Sequence, residues 1–339
     1  MLGGCSFSYE AMSFRISTVT MSKSIVIVGA GITGLSCAHY LLERGYKVTV
    51  IDKDLIDNGA STGNAGIVGV GHPPLQRPGL TKQTLRFLLD PKGPLYIKPS
   101  LNPALWRWFW GFRKACTKRQ FEQSMQMLMQ MAEGITSSFD DLIQGNEIDC
   151  EYSPLGWLEL YATQKAERQI ADEVELQRAA GLDVDMLNAQ QLQDLEPAIH
   201  QRVLGAAHFK QSAFLSPKKL IVGLASQLRK RGVQIRTNTR CKSIETDAGR
   251  FKALYTHTDE RLEADHIVLA AGIWTSQLVE KFGGSIPMQA GKGYHLKLAC
   301  PPPTVPQLSI ACVCAETYVA VTPIDDGIQL AGTIEFSGI

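Results

Sequence analysis

The stretch IVIVGAGITGLSCAHYLLERGYKVTVIDKD, Ile25 to Asp54, decides the fold. Ser24 to Val28 is a short apolar run, the pattern of a buried parallel strand. Gly29, Gly31 and Gly34 follow in G-x-G-x-x-G spacing, with Ala30, Ile32 and Thr33 between them. The first glycine permits a tight turn and the second lets backbone approach a pyrophosphate. The third lets helix and strand pack closely. A helix over Ile32 to Arg44 would point its free N–H groups at the phosphates, with Gly45 as its C′ residue. Tyr46 to Ile51 reads as a second strand ending in Asp52, an acceptor for adenosine ribose hydroxyls. Together these features predict a dinucleotide site. The motif alone leaves FAD and NAD open, while Asp52 would repel the 2′-phosphate of NADP.

The chain has 339 residues, enough for two domains. Its net charge of +1 gives no global attraction to nucleic acid. No apolar run reaches the roughly 18–20 residues of a membrane-spanning helix. Eight scattered cysteines form no zinc-like cluster, so reduced thiols in a cytoplasmic protein are expected. Residues 1–21 lack the basic and apolar regions of a secretory signal, and Met21 stands just before the first strand. They read as a disordered extension or a misplaced start.

The segment from Asn58 to Gly79 is rich in glycine, small residues and proline. It is too long for an idle connection, and small residues let backbone lie flat against a ligand. A plain surface loop is the alternative. Residues 102–131 read as helical, with Asn102 as N-cap and Pro103 at N1. Leu105, Trp108, Phe109 and Phe112 share one face. Trp106 and Trp110 lie on another, beside Arg107, Arg113, Lys114, Lys118 and Arg119. Such a helix either rests on a membrane surface or packs within the protein with a solvated basic side.

Strands are expected at Trp157 to Tyr161 and from Val233 onward. Helices are expected over Gln164 to Ala180, just after Asn188, and from Pro217 with Leu220, Ile221, Leu224 and Leu228 as its stripe. Strands at Lys242 to Thr246, Phe251 to Thr256 and Ala264 to Thr275, joined by the turns DAGR and TDER, read as a meander. Ala264 to Thr275 reads as a last apolar strand running into Ala270, Ala271 and Gly272. Gly291 to Leu296 and Glu316 to Ile339 read as strands of a mixed sheet. No Ser/His/Asp or paired-carboxylate constellation is found. His72, His208 and His295 are pocket candidates, each also explicable as structural or exposed.

Taken in order, the glycine motif, STGNAG, NPALWRWFW, GWLELYAT, LSPKKLIVGLASQL, VLAAGIWTSQL, GKGYHL and VTPIDDGIQLAGTIEFSG resemble the FAD-dependent D-amino acid oxidase superfamily, most closely the bacterial D-amino acid dehydrogenases. The resemblance covers residues 22–339. It implies an α/β (α+β) fold: a Rossmann-like FAD-binding domain of glutathione-reductase type with a mixed-sheet substrate domain. The FAD-binding part would comprise 22–90 and 200–280, the substrate part 91–199 and 281–339.

The resemblance also implies roles. Gly29, Gly31 and Gly34 would cradle the FAD pyrophosphate, with Ala30, Ile32 and Thr33 in the same turn. Asp52, with Lys53, would hold the ribose. Ser61, Thr62, Asn64, Ala65 and Gly66 would lie beside the pyrophosphate and isoalloxazine. Cys241 sits where a valine usually meets the adenine, and Ala270, Ala271, Gly272 and Trp274 would line the flavin. Tyr294 and His72 are the substrate-side candidates. The implied activity is oxidation of a D-alanine-like amino acid to a 2-oxo acid and ammonia. Electrons would pass to a quinone or similar respiratory acceptor, with peripheral contact to the inner face of the cytoplasmic membrane through the 102–119 helix. A relative acting on glycine, sarcosine or hydroxyproline stays open. An NAD enzyme rests only on the shared glycine motif. Gln329 stands where an arginine is common. Relatives of this kind also continue past the equivalent of Ile339 with flavin contacts, so the chain is expected to be C-terminally truncated, and an inactive remnant is a further reading.

Overall fold

Four parallel strands form the first layer: His266–Leu269, Ser24–Val28, Lys47–Ile51 and Gln234–Arg236, in that spatial order. The computed structural model describes residues 22–70, 74–76, 78–79, 93–97, 101–299, 306–324 and 327–336. Residues 1–21 and His72 lie outside them. The opening strand is buried along Ile25–Val28 because both faces of a parallel sheet are covered. On one face, helix Ile32–Glu43 packs its Leu35 and Ala38 with Leu220, Ile221, Leu224 and Leu228 of helix Pro217–Lys230. On the other lies an antiparallel meander, Cys241–Asp247, Arg250–Thr256 and Arg261–Glu263, whose Leu254 packs with Val26, Val28 and Ile51.

The second layer is an eight-stranded mixed sheet. Its order is Lys292–Ala299, Gly327–Phe336, Val319–Ile324, Ala311–Cys314, Trp157–Tyr161, Gly205–Phe209 and Val184–Asn188, with Leu95–Ile97 added beside Gly327–Phe336. Gly205–Phe209, although beyond the boundary expected at residue 200, pairs into this sheet. Its Phe209 stacks on Trp157 with ring centroids 4.3 Å apart. A short antiparallel pair, Ile67–Val68 with Ala213–Phe214, has Val68 and Ala213 in the core of the first layer and Ile67 and Phe214 in that of the second.

Several elements fall where the pattern places them. Helix Gln164–Ala179 starts at Thr163, which accepts from Ala166 N–H. Asn188 and Gln191 form a reciprocal capping box at helix Ala189–Leu195. Three expectations are corrected. The single helix over 102–131 is two, Pro103–Ala115 and Lys118–Ala132. The break comes at Thr117, which turns extended and caps the second helix by accepting from Gln120 N–H. The meander closes with Arg261–Glu263, and the next strand crosses to the parallel sheet. That strand ends at Leu269, six residues short, because the chain turns through Gly272 at φ 54° into helix Thr275–Glu280. The aromatic face of helix Pro103–Ala115 points inward: Trp108 and Phe109 both meet Phe336, at 5.6 Å between centroids. Among the described residues no helix is long and apolar enough to cross a membrane, six cysteines are free and no metal-binding cluster occurs.

Candidate cofactor site

The glycine turn is defined by what cannot be added to it. A Cβ on Gly29 would stand 2.3 Å from the carbonyl oxygen of Ala270, and one on Gly34 only 1.8 Å from that of Gly29. Gly29 also needs φ 113°, which L side chains rarely adopt. Helix Ile32–Glu43 therefore begins hard against the turn. Its N-cap, Gly31, supplies no side-chain hydrogen bond, and no acidic residue stands in its first turn. A helix N-terminus with free donors and no acidic side chain is suited to an anion such as a pyrophosphate. Ser61 already meets it, accepting from Ile32 N–H at 3.1 Å.

Asp52 closes the turn from the second strand. Its Oδ2 accepts from Ala30 N–H at 2.7 Å and its Oδ1 from Asp54 N–H at 2.9 Å. Each carboxylate oxygen keeps a second lone pair for a ribose hydroxyl. The chain after Arg236 runs alongside: Thr239 N–H donates to Asp52 O at 2.6 Å. This brings Cys241 beside the same strand end, buried, its thiol pushed up by that burial. Lys53 lays its ammonium 3.6 Å over the Trp274 ring. Ala270 N–H donates to Val28 O at 2.8 Å, so Ala270 to Trp274 leave the sheet next to Gly29.

The third wall is Ser61 to Gly66. Thr62 turns back on Gly59 O at 2.8 Å. Asn64 donates to Ser61 O and accepts from Gly66 N–H, at 2.9 and 2.8 Å. Gly66, at φ 74°, could not carry a Cβ, which would lie 2.2 Å from Leu215 O. The mixed sheet covers this loop. Thr322 Oγ1 donates to Ala65 O, and Gln329 Nε2 donates to Asn64 O. His295 packs on Gly63, where an added Cβ would be 3.1 Å from its Cε1.

The structure thus brings Gly29 to Gly34, Asp52, Lys53, Ser61 to Gly66, Cys241 and Ala270 to Trp274 together around the glycine turn. Tyr294 falls elsewhere. Successive strand residues face opposite ways, so Tyr294 leaves by the face away from His295, and its hydroxyl bonds Glu335. That bond raises the phenol above its usual pKa. His208 bonds Leu155 O at 2.9 Å. The sequence reading missed Thr322 and noted Gln329 only as a departure from arginine. The signal was available: both are polar at inward positions of otherwise apolar strands.

A Rossmann sheet with a donor-rich glycine turn, an acid at the second strand end and small-residue walls fits FAD, a cradle that added Cβ atoms would fill. It defines a flavin-dependent oxidoreductase of the two-layer class. The chain belongs to the FAD dependent oxidoreductase (DAO) family, whose model matches residues 24–338. It is 29% identical over 319 residues to the D-amino acid dehydrogenase of Vibrio vulnificus (strain CMCP6), spanning 92% of this chain and 76% of that one. It is 28% identical over 323 residues to the D-amino acid dehydrogenase of Methylobacterium sp. (strain 4-46), over 93% and 76% of the two chains. In fold it is similar to glycine oxidase from Bacillus cereus, with TM-score 0.65, 18% identity and coverage of 93% and 72%. It is also similar to L-proline dehydrogenase from P. horikoshii, with TM-score 0.62, 15% identity and coverage of 92% and 70%.

Proposed function

We propose that this chain oxidises a small amino acid, in first place a D-amino acid such as D-alanine, to the imino acid, which water converts to the 2-oxo acid and ammonia. The single observation that carries the reading is the covered loop: Asn64 and Ala65 lie between the glycine turn and the face of the mixed sheet that bears Thr322, Gln329 and His295. Likeness to D-amino acid dehydrogenases over most of the chain supports the substrate class. Bound FAD supplies the acceptor for the α-hydrogen and its electron pair.

The chain's own residues bind, orient and screen. Gly29 to Gly34 and Ser61 receive the pyrophosphate, and Asp52 the ribose hydroxyls. Ala270 to Trp274 and Asn64 to Gly66 form walls that keep water from the reacting carbon. The substrate amine must be neutral for hydride loss, so no dedicated general base is required. His295 stands on the cofactor-loop side, its ring beside Gly63.

Anaerobic addition of D-alanine to the FAD-loaded protein is expected to bleach its visible flavin band, with pyruvate and ammonia formed. L-alanine, glycine, sarcosine and hydroxyproline added in parallel identify the substrate. A protein that takes up no FAD, or a flavin band that none of these substrates bleaches, defeats the proposal.

A further inference from the structure

We propose that Thr322 and Gln329 are positioning residues: together they set the shape of the cofactor-facing loop Ser61 to Gly66. The inference rests on the cofactor reading above and names residues in it. The two side chains are register partners on adjacent antiparallel strands, so they stand side by side on one face of the mixed sheet. They are 1% and 3% exposed. Burying an amide and a hydroxyl there is unfavourable unless both are bonded, and the acceptors they find are two consecutive carbonyls, Ala65 O and Asn64 O. These contacts join positions 257 and 265 residues apart in the chain.

The other end of the loop is held independently. Ser61 accepts from the first N–H of the glycine-turn helix. Asn64 ties Ser61 to Gly66 within the loop. The segment is therefore pinned to the phosphate-binding helix at one end and to the mixed sheet at the other.

The clamp also decides direction. In a trans peptide the carbonyl and the following N–H point opposite ways. Drawing Asn64 O onto Gln329 turns the N–H of Ala65 away from the sheet. Among the described residues no acceptor is recorded for that N–H. The Gly66 N–H, turned the same way by Thr322, is taken up by Asn64 Oδ1. One backbone donor is thus aimed out of the loop on the side away from the sheet, where it is open to a bound cofactor. A side chain at position 329 that donates nothing would release the peptide plane and with it this donor.

Thr322→Val and Gln329→Met test the idea, with Thr322→Ser as the donor-preserving control. Amide hydrogen exchange of residues 61–66 is followed in the FAD-free chain, and FAD affinity is measured by flavin fluorescence titration. Each donor-less variant is expected to raise exchange in that segment and weaken FAD binding roughly tenfold, the scale of one lost buried hydrogen bond, while Thr322→Ser behaves as the parent. Unchanged exchange in both donor-less variants overturns the clamp. Raised exchange with unchanged FAD affinity overturns its role toward the cofactor. A parent chain that binds no FAD removes the functional reading and, with it, that cofactor role; the exchange comparison still decides whether the two side chains hold the loop.

Discussion

The carboxylate of Asp52 accepts the N–H of Ala30 at 2.7 Å, tying the end of the second strand to the middle of the glycine turn. The residue expected to hold a ribose also holds the turn expected to receive the phosphates. Its other oxygen accepts Asp54 N–H. Asp52→Ala leaves both amides without this acceptor, and a hydrogen bond to a charged group contributes about 1.5–3 kcal/mol. FAD affinity is expected to fall at least about tenfold, which a flavin titration reads directly. Equal affinity of variant and parent would remove Asp52 from the site.

Gly34 and Gly45 make a matched pair of tests. A Cβ on Gly34 would lie 1.8 Å from Gly29 O, backbone that cannot step aside. Gly34→Ala is expected to cost about 3 kcal/mol or more and to abolish FAD uptake. Gly45 sits past the same helix at φ 81° with nothing within 4 Å of an added Cβ. Gly45→Ala is expected to cost only about 1 kcal/mol, from backbone strain alone, with FAD uptake retained. Urea unfolding of the two variants checks the ranking; equal losses would refute the close-approach argument.

The strand–glycine turn–helix–strand unit was legible because each of its steps obeys a local rule: an apolar strand, glycines at forced positions, a helix, then Asp52. Element types over Gln164–Ala179 and Pro217–Lys230 were legible for the same reason, through caps and stripes. The mixed sheet was only partly so. Ala311–Cys314 pairs parallel to Trp157–Tyr161, a partner over 150 residues away that no local pattern announces. Tyr294 shows the remaining difficulty. Its strand was readable, but which face meets the cofactor loop depends on register, and a one-residue difference puts His295 there instead.

His39 offers a pH test that does not depend on the cofactor. It is 5% exposed, with Arg231 Nη1 3.1 Å from its Nδ1 and Glu43 Oε1 3.2 Å from its Nε2. Arginine only donates, so Nδ1 must accept and Nε2–H faces Glu43. Burial lowers the pKa of His39, with the nearby Arg231 charge acting the same way and Glu43 opposing. A folded pKa below the unfolded value of about 6.5 means that the unfolded chain binds the extra proton first. Stability from His39 is therefore fully present above about pH 6.5 and is lost as pH falls from there toward the lowered folded value. His39→Gln is expected to flatten that part of the stability profile measured by urea unfolding at successive pH values. An identical slope in parent and variant would exclude His39 as its source.

Helix Pro103–Ala115 carries the membrane expectation. Its inward aromatics are accounted for by Phe336, but Trp106 and Trp110 are 55% and 58% exposed. Arg113 and Lys114 each lie 5.6 Å from the Trp110 ring centre. From 102 to 119 the sequence has five basic residues and no acidic one. Exposed indoles beside lysine and arginine suit an interface where rings reach the acyl boundary and cations meet anionic headgroups. Near such a surface each basic residue contributes about 1 kcal/mol, screened by salt. The protein is expected to sediment with phosphatidylserine-containing vesicles at low salt, to be released by high salt, and to bind phosphatidylcholine vesicles weakly. Trp106→Ala with Trp110→Ala is expected to reduce sedimentation several-fold without changing FAD content, because neither ring is among the residues gathered at the glycine turn. Equal retention on charged and neutral vesicles, or none on either, would leave the basic tryptophan face as a solvated surface.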